Sequence, residues 1–277
     1  MSSVRTLSFV LLILCVLGGL VAALFSPTLA ATLAVPTPAV GQVATAQPVQ
    51  PVVEPTSIAP TQPVVGPTNI VVAQPTPLPS GVTMLVQDTF QRPNQALWGQ
   101  SSDGQIWNGD ANSSPLFSIV KHAGQISGGK GTVQAIMLAT FQDSDLLVSA
   151  TVNQFNAHGT SNFGVVLRWQ DSQNWYKALI DGSTFQLLKS VQGKISVLVT
   201  QPFHAVGGTA YSIRFRALGS NLFGRVWPSA QPEPTTWAWL AIDTALRTGN
   251  SGIRVLLTSH TVMRLNSFVE TTVPNVV

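Results

Sequence analysis

Between residues 84 and 270, apolar and polar side chains alternate in twelve short runs, and no window keeps a helical period. The runs cover residues 84–90, 116–121, 132–139, 146–153, 163–170, 175–181, 185–191, 195–200, 211–218, 222–227, 253–257 and 262–270. A period of two sends successive side chains to opposite faces of a strand, so each run needs a second layer over its apolar face. Turn residues between the runs fold strands this numerous and this close into antiparallel neighbours. The expected fold is all-β, with two stacked antiparallel sheets.

The chain before this region cannot join such a core. Residues 7–25 are apolar, Arg5 is the only charge ahead of them, and Ser26-Pro27 and small residues up to Ala34 come next. That order describes a secretory signal peptide cleaved after Ala30 or Ala34. The apolar run is long for one and approaches the roughly 20 residues of a spanning helix. Residues 1–34 are therefore read as a signal peptide or an uncleaved membrane anchor, and either one exports the rest of the chain. Residues 35–80 are rich in Pro, Thr, Val and Gln, with Glu54 as their only charge. Such a segment stays extended, at about 3.1 Å per residue where straight, and is expected to be a disordered stalk. The β-domain is placed at 81–272, with a tail at 273–277. The expected location is the cell surface or the extracellular space, and the partner of the N-terminal segment is the membrane.

The single cysteine, Cys15, lies within the apolar run, and Leu14 stands where a lipobox carries a small residue. The exported part thus has no thiol for disulfides, zinc–thiolate sites or cysteine catalysis. Only 9% of residues are charged, for a net charge of +3, and no lysine-rich stripe is present. Nucleic acid is not an expected partner.

Two hairpins indicate which residues point outward. With residues 171–174 as the loop, Trp169 faces Tyr176, Leu167 faces Ala178 and Val165 faces Ile180. One face is then wholly apolar or aromatic, and the other collects Val166, Arg168, Gln170, Trp175, Lys177, Leu179 and Asp181. Closing the second hairpin at Gly219-Ser220 sets Arg214 opposite Arg225 and Arg216 opposite Phe223, with Trp227 on the same face. Like charges directly opposite destabilise a sheet. Carboxylates from another strand, solvent or an anionic ligand must offset them. Tryptophan rings stack on the C–H faces of sugars, and cationic side chains hold hydroxyls or uronates. Trp175, Trp227, Arg168, Lys177, Arg214 and Arg225 are thus candidate carbohydrate-binding residues. The alternative is a solvated outer face with snorkelling cations.

The run Gly164-Val165-Val166-Leu167-Arg168-Trp169-Gln170-Asp171, then Asn174-Trp175-Tyr176-Lys177-Ala178, resembles the central hairpin of laminin-G-like, concanavalin A-like lectin/glucanase domains. Asp88-Thr89-Phe90-Gln91-Arg92-Pro93 resembles the opening strand of bacterial members. Trp98-Gly99, Asp103-Gly104-Gln105-Ile106-Trp107 and Gly109-Asp110-Ala111-Asn112 resemble the segment after that strand in a group of bacterial surface proteins. The resemblance spans nearly all of residues 81–272. It implies a two-sheet jelly roll whose concave face binds carbohydrate, with calcium in some members. Fold alone does not fix function.

Glucanases of this fold carry Glu-x-Asp-x-x-Glu on one strand, and that motif is absent. The β-region's only glutamates are Glu233 and Glu270, Asp143 and Asp145 mark nothing beyond a turn, and Asp103 and Asp110 could form the two-acid pair of glycoside hydrolysis only through the fold. His122, His158, His204 and His260 lack metal-ligand spacing and read as loop residues, and residues 124–131 read as a glycine-rich turn. Asp110 and Asn112 present hard oxygen donors two apart, a candidate calcium pair or an Asx-turn. Trp98 and Trp107 are expected to pack under that loop. Trp237 and Trp239 share one face if they lie on a strand. The expected function is non-catalytic binding of a polysaccharide at a bacterial cell surface. The alternatives are a structural or adhesion module with a protein partner and a glycoside hydrolase.

Overall fold

The computed structural model describes residues 78–155 and 160–273, so the N-terminal segment, nearly all of the stalk and most of the tail lie outside the described residues. The strands are β1 (Met84–Asp88), β2 (Gln95–Ala96), β3 (Trp107–Gly109), β4 (Phe117–Val120), β5 (Ala123–Ser127), β6 (Gly131–Phe141), β7 (Ser144–Val152), β8 (Phe163–Asp171), β9 (Asn174–Ile180), β10 (Thr184–Val191), β11 (Lys194–Pro202), β12 (Ala210–Leu218), β13 (Asn221–Pro228), β14 (Trp239–Ile242), β15 (Gly249–Leu257) and β16 (Val262–Thr271). One 3₁₀ turn covers Asp110–Asn112.

All strand pairs are antiparallel, in two sheets. The nine-stranded sheet runs β14-β13-β12-β7-β16-β5-β4-β2, with β1 also pairing with β16. The seven-stranded sheet runs β11-β10-β9-β8-β15-β6-β3. Their apolar faces meet in one core. Trp107 of β3 meets Phe268 of β16 edge to face at 5.1 Å, and Phe185 of β10 meets Trp239 of β14 at 5.2 Å. Contacts of this kind add about 0.5–1.5 kcal/mol each beyond the area they bury.

The opening motif forms a knot. The Asp88 carboxylate is fully buried and accepts hydrogen bonds from the Phe90 amide, both Arg92 amino groups, Ser102 Oγ and Trp107 Nε1. Phe90, Trp98 and Trp107 stack within that knot, so both tryptophans lie in the core beside the Asp110 turn, as expected.

All twelve expected runs are strands. Four short strands, β2, β3, β5 and β14, go beyond them. Residues 124–131 do not form a single turn: Gly124 to Ser127 belong to β5, and Gly131 opens β6. A Cβ at Gly124 would stand 2.6 Å from the Phe90 ring, so the glycine admits that ring rather than bending the chain. Trp237 and Trp239 do not share a face either. Trp239 is in the core, whereas Trp237 precedes β14 and lies on the outside over Phe223.

Candidate functional site

The two candidate hairpins lie in different sheets, so their outward side chains occupy opposite faces of the sandwich. Trp175 and Lys177 belong to the seven-stranded sheet, and Arg214, Arg225 and Trp227 to the nine-stranded one. The six expected residues therefore do not converge on one site.

The β12–β13 hairpin has the expected register, with Arg214 opposite Arg225 and Arg216 opposite Phe223. Carboxylates from elsewhere in the chain offset the cations. Asp145 of β7, opposite Arg216, binds both Arg216 and Arg214. The loop after β13 folds back over the sheet. It brings Glu233 between Arg214 and Arg225, and the Pro234 carbonyl accepts from Arg225 at 2.6 Å. Trp237 lies over Arg216 and Arg225 at 4.8 and 4.4 Å. Burial lowers the Arg225 pKa, and Glu233 counters that shift. Trp227 is 6% exposed and offers no free ring. The cluster neutralises itself.

The β8–β9 hairpin keeps its faces but not its register. The expected four-residue loop is tighter, since Asp171 and Asn174 pair as strand residues, and Leu167 pairs with Tyr176 and Val165 with Ala178 instead of Trp169 with Tyr176 and Leu167 with Ala178. A bulge between Leu167 and Asp171 absorbs two residues, and a slip of two leaves the faces unchanged. The bulge sets Arg168 at φ 51°, and its side chain is 2% exposed. The guanidinium donates to the carbonyls of Gln142, Leu246 and Gly219 and to Asp143. Burial lowers its pKa, against the pull of Asp143. Arg168 thus ties turns of both sheets together and is not on the outer face.

The rest of the outer face of the seven-stranded sheet is different in kind. Lys177 is 5% exposed, and its ammonium donates to Asn162 Oδ1 at 2.7 Å. It lies across Gly164, where a Cβ would stand 2.1 Å from the lysine Cε. Two strands away, Arg254 of β15 donates to Gln134 Oε1 at 2.6 Å, and its guanidinium sits 5.1 Å from the Trp175 ring centre. Trp175 is only 2% exposed, so it supports Arg254 from below rather than presenting a bare ring. Burial, and then the charge of Arg254, push the Lys177 pKa down to about 7. Among the described residues neither Lys177 nor Arg254 forms a salt bridge.

Arg254 escapes the hairpin reading because β15 lies next to β8 only through long-range pairing. The one local signal is its place between Ile253 and Val255 in an alternating run.

The expected calcium pair does not fit a cation cradle. Asn112 Oδ1 accepts from the Gly99 amide, its amide donates to the carbonyls of Gly99 and Trp107, and Asp110 Oδ2 accepts from the Gln134 amide. Among the described residues no group of three or more His, Cys, Asp or Glu could hold a metal ion. His122, His204 and His260 are exposed, and His158 lies outside the described residues. Glu270 is buried between the sheets. Burial pushes its pKa up to about 7, and Ser251 of the facing sheet donates to it.

No protein-family model matches the sequence, and no curated protein matches it. Solved structures do. SCLam, a non-specific endo-β-1,3(4)-glucanase of family GH16, is 10% identical with a TM-score of 0.51, over 72% of this chain and 94% of that one. A xylan β-1,4-xylosidase from Bacillus halodurans C-125 is 11% identical with a TM-score of 0.51, over 66% of this chain and 38% of that one. The carbohydrate-binding module CBM66 from Bacillus subtilis is 14% identical with a TM-score of 0.48, over 59% of this chain and 94% of that one. At these identities the likeness to the two enzymes is one of fold: the concanavalin A-like jelly-roll sandwich.

Proposed function

We propose that this chain is an exported, membrane-tethered, non-catalytic carbohydrate-binding module of a bacterial cell surface, and that its glycan lies on the outer face of the seven-stranded sheet. The observation that carries the reading is the pair Lys177 and Arg254, two basic groups that are hydrogen-bonded to amides and, among the described residues, form no salt bridge. A buried lysine without an acid costs stability, and such costs concentrate at functional sites. A guanidinium held by Gln134 and Trp175 is preorganised to grip a carboxylate or vicinal hydroxyls. Every acid among the described residues accepts a hydrogen bond or ion pair from the chain itself, and the Glu-x-Asp-x-x-Glu motif of glucanases of this fold is absent from the sequence.

The test is a titration of the full chain against neutral and acidic polysaccharides, with product release assayed alongside. Binding without release supports the module. Release moves the case to an enzyme. Silence across the panel favours a protein partner. That second reading has an observation of its own: the edge strands β11 and β14 leave Ile195, Val197, Leu240 and Ile242 more than half exposed. Open edges of this kind accept an added strand.

A further inference from the structure

A cleft of about 520 Å³ opens beside the β10–β11 hairpin, away from the face that carries Lys177 and Arg254, and is lined by Lys189, Val191, Gln192, Lys194, Ser196 and Ala245. Its size is that of a small-ligand pocket. Its walls are fixed. Ser190 Oγ and the Gly193 amide both donate to the Gln173 carbonyl, and the Gln192 amide donates to Asn174 Oδ1, which ties this hairpin to the β8–β9 turn.

One cation of the cleft is anchored from behind. Lys189 faces inward beside Tyr176, and its ammonium is bound by Asp243. Asp243 also accepts from the Tyr176 hydroxyl at 2.5 Å and from the Ala245 amide at 2.9 Å, while Tyr176 accepts from the Leu246 amide. Burial alone would raise the Asp243 pKa, but the hydrogen bonds from Lys189 and Tyr176 outweigh it and hold the carboxyl below its ordinary value. Burial, and then Asp243, push the Tyr176 pKa up to about 12. Asp243 therefore stays ionised across the neutral range, and Lys189, bound to it by one N–H, keeps two of its three N–H donors for the cleft.

The other lining groups have the same bias. Among the described residues the side chains of Gln192, Lys194 and Ser196 make no hydrogen bond to the protein, and the acid beside the cleft, Asp243, is taken up by Lys189 and Tyr176. Its free polar capacity is mostly donor and partly cationic, over a floor of Val191 and Ala245. We propose that this cleft binds a small sugar acid: the carboxylate on Lys194, whose ammonium has no acid partner among the described residues, hydroxyls on Lys189, Gln192 and Ser196, and the C–H face on Val191 and Ala245. The site is separate from the sheet face and does not rest on that reading.

The experiment is a calorimetric titration of the full chain with glucuronate, glucose and inorganic phosphate, repeated on Lys194→Met, Ser196→Ala and Trp237→Ala, the last over the opposite sheet. Lys194 is exposed on an edge strand, so its replacement leaves the fold intact, which circular dichroism checks. The proposal expects glucuronate to bind at least tenfold more tightly than glucose or phosphate. It expects Lys194→Met to weaken glucuronate at least tenfold, Ser196→Ala a few-fold, and Trp237→Ala not at all. Equal binding of phosphate and glucuronate would reduce the cleft to a simple anion site and overturn the sugar-acid assignment. An unchanged affinity in Lys194→Met, or its loss in Trp237→Ala, would place the ligand elsewhere and overturn the site itself.

Discussion

The two outer faces of the sandwich carry similar residues and treat them in opposite ways. On the nine-stranded sheet, Arg214, Arg216 and Arg225 are met by Asp145 and by Glu233 from a loop folded over them. On the seven-stranded sheet, Lys177 and Arg254 are met by Asn162 and Gln134. A carboxylate neutralises a cation, whereas an amide accepts its hydrogen bond and leaves its charge. The first face is a finished structural cluster, whereas on the second, among the described residues, neither Lys177 nor Arg254 forms a salt bridge.

Removing Asp145 should break that contrast most severely. Asp145→Asn leaves Arg214 and Arg216 without their buried counter-charge and should cost about 3–5 kcal/mol in urea unfolding. A loss below about 1 kcal/mol would mean that the arginine face is held by solvent instead.

Lys177→Met should act in the other direction. It exchanges a buried cation for an apolar side chain of similar length and should stabilise the fold by about 1–3 kcal/mol at neutral pH and below. The sign comes from proton binding. Between a folded pKa of about 7 and the ordinary lysine value of 10.5 the unfolded chain holds more protons, so wild-type stability rises with pH through this window. The gain from Lys177→Met is therefore fully present below pH 7 and fades toward pH 10.5. A gain that does not change with pH would show that Lys177 is not the titrating group.

Glu233→Gln should be milder, because Glu233 is 29% exposed and solvent screens its pairs with Arg214 and Arg225. About 1 kcal/mol of destabilisation is expected, weakening further at high salt. Arg254→Met should have the smallest effect on stability, within about 0.5 kcal/mol, because it breaks no salt bridge and its apolar replacement can still pack on Trp175.

Much of the fold is legible in the chain because its signals are local. Alternation marks all twelve long strands, and Gly219-Ser220 fixes the register of the second hairpin. β5 is hidden because Gly124 reads as a turn residue until the Phe90 ring that lies against it is known. The Arg168 bulge has no local signal at all, since a non-glycine residue takes the left-handed backbone there. The candidate site is legible only in part for a related reason. Lys177 and Trp175 are visible as outward residues of a hairpin, but the partner that meets each cation depends on strand order. Asp145 reaches Arg216 across 71 residues of sequence, and Arg254 reaches Gln134 across 120. The sequence shows cations in need of partners, and the topology decides which of them find one.

The most direct test of a glycan site on the seven-stranded sheet is the affinity of the full chain for an acidic polysaccharide, compared between Arg254→Met on one face and Trp237→Ala on the other. At least a tenfold loss is predicted for Arg254→Met, and no change for Trp237→Ala. An undiminished affinity in Arg254→Met together with a loss in Trp237→Ala would contradict that placement and put the glycan on the arginine face.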